Sequence, residues 1–167
     1  VGTLFAMSRE SGFRPELQET LRNALGKDDL QTRTDALASP TGFPFKVVGL
    51  EGTLSEEIVE QARRRKCDLG YLRDVYQTPD GGLGYRCPAE PIDDYLSKGG
   101  DLADTVGRKC ICNGLTATIG FGQRRPTLEE PPIVTAGDDL VALGRLLAPD
   151  RHTYSAADVV AYLLSLK

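Results

Sequence analysis

Residues 1–7 read VGTLFAM. Val1, Leu4 and Phe5 predict a buried β-strand over residues 1–6, and no initiator methionine, charged lead-in or turn comes before it. A strand is stable only when its N–H and C=O groups are paired, and an isolated one has nowhere to send them. The rest of the chain offers only two or three scattered strand candidates among helices and loops. The expectation is an α/β fragment: the last strand of a larger sheet, then a segment mostly of helix and loop that completes a longer protein.

Outward from that stretch, Pro15 suits a first helical turn, Leu17, Leu21 and Leu25 recur at four-residue spacing, and Gly26 can close the helix in a left-handed cap. Residues 38–46, ASPTGFPFK, hold two prolines, a glycine and two phenylalanines. That is too rigid for a helix and too interrupted for a central strand, so an ordered loop should feed a short strand at 45–50. Phe43 and Phe45 are expected to anchor the loop, with the lining of a pocket mouth as the competing role.

Ser55 ahead of Glu56 and Glu57 marks a helix start, with Ile58, Val59 and Ala62 on the apolar side and the basic run 63–66, RRRK, solvated in the last turn. From 68 to 107 the turn signals crowd together (TPDGGLG, CPAEP, SKGG), which predicts short helices and loops forming a cover rather than a sheet. Further helices are expected from about Asn113 through 115–119, over 139–147, and from Ser155. There Asp158 makes a capping-box-like pair and Val159, Val160, Leu163 and Leu164 form the apolar face.

With 167 residues and 40% hydrophobic content the chain can bury a core. Twenty basic against 24 acidic residues, a net charge of -4, gives no general attraction to nucleic acid or to an anionic membrane. The longest apolar runs, such as 159–166, fall well short of the roughly 20 residues a bilayer span needs, and the start lacks a basic-then-apolar leader. The expectation is a soluble, cytoplasmic protein with no nucleic-acid or membrane partner. The single histidine, His152, sits in the polar loop APDRHTY and is expected at the surface or in a cap. Asp138 and Asp139 are adjacent and point different ways on a helix, so they suit a cap better than a catalytic pair.

The four cysteines, Cys67, Cys87, Cys110 and Cys112, all fall in one 46-residue window, and three follow a basic residue. Positive neighbours favour thiolates, and four thiolates are the ligand set of a structural zinc or an iron–sulfur cluster. Against this, only Cys110 and Cys112 are near in sequence, and C-x-C is not the usual C-x₂-C knuckle. Free cysteine is also a common buried filler. Metal ligand, filler and redox thiol all stay open, and a four-cysteine metal-binding interaction module is the non-enzymatic alternative.

VGTLFAMSRESG followed by TDALASPTGFPFKVV resembles the final barrel strand and succeeding segment of the nitronate monooxygenase (nitropropane dioxygenase-like) flavoproteins. CDLGYLRDVY, YRCPAEP, KGGDLADTVGRKCICNGL and PPIVTAGDDL resemble the C-terminal extension of one subgroup of that family. The resemblance implies a (β/α)₈ TIM barrel that binds FMN and oxidises small alkyl nitronates with O₂. Residues 1–50 would end the barrel and connect it to a helical extension at 51–167, with the remainder of the barrel upstream. The related trans-acting FMN-dependent enoyl reductases of polyketide and polyunsaturated fatty acid synthesis are the enzymatic alternative. In the family a Gly-Thr pair contacts the FMN phosphate, which assigns that role to Gly2 and Thr3. Glycine lets a backbone approach a phosphate and Thr3 adds a hydroxyl donor. The competing role for Gly2 is to relieve crowding at a strand end. The family's flavin-ring contacts and general base lie on earlier strands, so no catalytic residue is assigned here.

Overall fold

The computed structural model of the chain describes residues 2–25, 30–126, 128–137, 140–147 and 153–165. The expected strand at the start is a short helix, α1 (Gly2–Ala6), a correction with a simple cause. A short apolar run cannot by itself tell a buried strand from a buried helix. Here Leu4 and Met7, three apart, are buried while Phe5 is exposed, and Met7 N–H donates to the Thr3 carbonyl. The buried Tyr154 hydroxyl donates to the Leu4 carbonyl at 2.7 Å, tying α1 to the far end of the chain.

The helix expected after Pro15 forms as α2 (Pro15–Leu25), burying Leu17 and Leu21; Gly26 lies outside the described residues. The strand after the proline-rich loop also forms, as β2 (Phe45–Val48), and pairs antiparallel with β1 (Thr32–Asp35), whose polar sequence TRTD concealed it. The helix expected from Ser55 is α3 (Glu57–Ala62), but Ser55 does not cap it. Its hydroxyl instead takes the Leu50 N–H at 2.9 Å, and the expected apolar side is partly in solvent, with Ile58 75% exposed.

The 68–107 region departs from expectation by containing a hairpin, β3 (Asp74–Gln77) with β4 (Leu83–Arg86). It continues through α4 (Ile92–Ser97) and a 3₁₀ turn at Leu102–Thr105. Then come α5 (Ile111–Thr118), a two-residue ladder between β5 (Arg124–Arg125) and β6 (Leu128–Glu129), α6 (Val141–Leu146) and α7 (Ala156–Ser165). The described strands thus form three separate two-stranded antiparallel sheets. No described helix is long and apolar enough to cross a membrane.

Two apolar cores meet along one extended seam. Neighbours on a strand point to opposite faces, and accordingly Val48 enters the first core while Val47 enters the second. Val134 and Ile133 divide the same way on the segment alongside, which is joined to β2 by the Val48 N–H to Val134 carbonyl bond at 2.9 Å. The first core joins α1, α2, α6 and α7, whereas the second holds Ala38, Leu54 and Ile111.

Candidate functional site

Gly2 and Thr3 begin α1, and the loop at 42–45 and the segment at 135–137 stand opposite them. Together they line a cleft of about 570 Å³ that also includes Phe43, Phe45 and Lys46. The tether is one hydrogen bond across the chain: Gly137 N–H donates to Thr3 Oγ1 at 2.8 Å. A hydroxyl that accepts a bond keeps its own proton to donate. Gly2 is exposed, and a Cβ built there would meet no atom of the described chain within 4 Å.

The phenylalanine loop is held from behind. Asp35 accepts the N–H groups of Leu37 and Ala38, and Arg108 donates to the Ser39 carbonyl at 2.6 Å. Lys109 N–H donates to the Ala38 carbonyl, and its ammonium meets Asp35 at 2.8 Å. These bonds, rather than both aromatic rings, fix the loop. Phe45 packs partly against the second core, but Phe43 is 62% exposed and meets Phe45 edge-on. The expectation that both rings anchor the loop therefore holds only for Phe45. Chemically, the cleft combines a short helix start, a fixed hydroxyl, a lysine and an exposed aromatic wall.

The cysteines lie apart from this cleft. All four are free; Cys87 and Cys110 are buried and Cys67 and Cys112 half-buried. Burial pushes the Cys87 thiol up to about 12 and the Cys110 thiol to about 11, and raises that of Cys67. Among the described residues no group of three or more His, Cys, Asp or Glu side chains is arranged to hold a metal ion.

Beside them runs an ionic network that sequence reasoning missed. Arg63, expected on a solvated helix end, is buried against the fully buried Glu130. Arg125 pairs with both Glu130 and Asp68, and Asp68 accepts Asn113 Nδ2 at 2.9 Å. Residues 63 and 130 are 67 apart and carry no local signal of pairing. His152, Asp138 and Asp139 lie outside the described residues. No protein-family model, curated protein or solved structure matches the chain.

Proposed function

We propose that this chain is the C-terminal portion of a cytoplasmic, FMN-dependent nitronate monooxygenase-like oxidoreductase that oxidises small alkyl nitronates with O₂, the rest of a (β/α)₈ barrel preceding residue 1. The proposal rests on the resemblance carried by residues 1–12 and 34–48. The observation that carries it furthest is the cleft, where Gly2 and Thr3 from one block face Phe43, Phe45 and Lys46 from the other. Barrels of this class often bind a cofactor phosphate with the loops after the last strands and the start of a short extra helix.

FMN supplies the redox chemistry when bound; the chain supplies binding and position. The Thr3 hydroxyl, oriented by Gly137 N–H, has a proton to give to a phosphate oxygen. Gly2, having no Cβ, lets its backbone come close to a phosphate. Lys46 contributes positive charge to the same cleft, and the exposed Phe43 ring gives it an apolar wall.

The test begins with the reading frame upstream of Val1, which should encode a barrel. In that longer protein Gly2→Leu should weaken FMN binding roughly tenfold or more, about 1.4 kcal/mol, with circular dichroism unchanged. Flavin affinity equal to that of the parent protein would refute the assignment, as would a frame without a barrel.

A further inference from the structure

The basic run at 63–66, RRRK, leaves α3 as extended backbone: the helix ends at Ala62, and Arg63 has φ −65° and ψ 125°. Successive side chains of an extended segment point to opposite sides. Accordingly Arg63 is buried and Arg65 half-buried, while Arg64 and Lys66 are exposed. A last helical turn would have scattered these charges around its axis. The extended run instead lines a cleft of about 450 Å³ together with Arg73 and residues of the segment at 90–98. That volume lies in the range of small-molecule sites.

Five cations line the cleft: Arg64, Arg65, Lys66, Arg73 and Lys98. Two carboxylates, Glu90 and Asp94, oppose them, so the lining carries an excess of three positive charges in a chain whose net charge is -4. Three of the cations are fixed. Arg65 donates to the carbonyls of Pro88 and Thr105 at 3.2 and 3.0 Å and lies 3.6 Å from Glu60. Lys98 Nζ meets both oxygens of the buried Glu90, at 2.9 and 2.8 Å. Arg73 Nε donates to the Gly70 carbonyl at 3.2 Å, and its guanidinium stands over the Tyr85 ring. A Cβ built at Gly70 would collide with that guanidinium, so glycine is what lets Arg73 lie there. Among the described residues the side chains of Arg64 and Lys66 have no hydrogen-bond or ion-pair partner. Like charges gathered in one place repel and destabilise the compact state. An anion seated among them removes that repulsion and takes up the donors left over.

We propose that this cleft binds a small molecule through a diphosphate group, with Arg64, Lys66 and Arg73 donating to its oxygens and the fixed Arg65 and Lys98 supplying charge around them. The charge balance selects this class. A phosphate monoester carries about −1.5 to −2 near neutral pH and a second phosphoryl group adds about one more, which matches the excess of three. A single carboxylate would leave most of that excess uncompensated. Guanidinium forks and an ammonium point charge are also the donors that phosphate oxygens take best. A long polyanion fits less well, because beyond this cleft the chain is acidic overall and would repel it. The inference is independent of any flavin, since none of these residues lines the Gly2–Thr3 cleft.

The test is titration of the full chain with inorganic pyrophosphate, in low-salt buffer free of phosphate and divalent metal, followed by calorimetry and by the thermal midpoint. Pyrophosphate should bind at about one per chain and raise the midpoint, as any ligand of the folded state does. Its affinity should exceed that of orthophosphate by about tenfold or more and fall as salt is added. The double variant Arg64→Gln/Lys66→Gln alters two exposed side chains that hold nothing in the fold. Its circular dichroism should match the parent while its pyrophosphate affinity falls about tenfold or more. Lys46→Gln, in the other cleft, should bind pyrophosphate as the parent does. A midpoint and heat that do not respond to pyrophosphate would overturn the proposal. So would an affinity that is unchanged in the double variant or lost in Lys46→Gln. A single-stranded oligonucleotide that binds more tightly than pyrophosphate, and loses its affinity in the double variant, would assign these cations to nucleic acid instead.

Discussion

Gly114 shows how one missing side chain sets a distance. A Cβ there would sit 2.8 Å from Ile133 Cγ2 and 3.1 Å from Leu54 Cδ1, both in the second core. Its carbonyl also accepts the Ile133 N–H, so helix and seam meet at close range. Gly114→Ala should therefore destabilise the chain by about 1–3 kcal/mol, as overpacked cores do. Gly144, exposed in α6 with nothing within 4 Å of a built Cβ, is the control, and Ala there should stabilise by about 0.4–1 kcal/mol. Denaturant midpoints compare the two, and equal, small effects would contradict the packing account. Neither difference was legible in the sequence, where both glycines simply interrupt a helical pattern. The same limit applied to Arg63, whose partner Glu130 is supplied by a distant segment.

Elements were legible where their signals are local. At the start of α7 the Ser155 hydroxyl accepts the Asp158 N–H at 3.2 Å, and the Asp158 carboxylate accepts the Ser155 N–H at 2.7 Å, the reciprocal pair that the spacing predicted. Ser155→Ala should cost about 1 kcal/mol, read as a lower thermal midpoint, while an unchanged midpoint would mean that packing of Val159 alone holds the helix. The α2 helix was equally readable from Pro15 and its leucines. The start of the chain was not, because five or six apolar-rich residues satisfy two periods at once and only contact with Tyr154 and the first core selects the helix. The hairpin at β3–β4 was hidden among turn signals read as loops, and β1 by its polar residues.

Across the whole molecule, the Asp35–Lys109 pair joins β1 to the approach of α5 over 74 residues and braces the loop behind the cleft. Burial pushes the Asp35 carboxyl up, but the Lys109 hydrogen bond and charge, with the Leu37 and Ala38 N–H groups, outweigh it and leave its pKa lowered. A folded-state pKa below the unfolded value of about 3.9 means stability that is present above that pH. It is lost as pH falls through the folded value. Asp35→Asn should therefore be less stable at neutral pH by about 1.5–3 kcal/mol, the range for a hydrogen bond to a charged group. The gap should narrow on acidification below about pH 4, as followed by urea unfolding. Parallel pH curves for the two proteins would remove the pair from the account of acid stability.

By itself the sequence determined the elements whose caps and apolar spacing lie within a few residues, and it singled out Gly2, Thr3, the phenylalanine loop and the four cysteines. Tertiary structure alone decided that α1 is a helix, that Thr3 meets Gly137, that Phe43 faces a cleft and that Arg63 is buried. The physical reason is range. Caps and periodicity act along a few residues of backbone, whereas burial and ion pairing depend on which distant segments arrive, and here the first core draws on both ends of the chain.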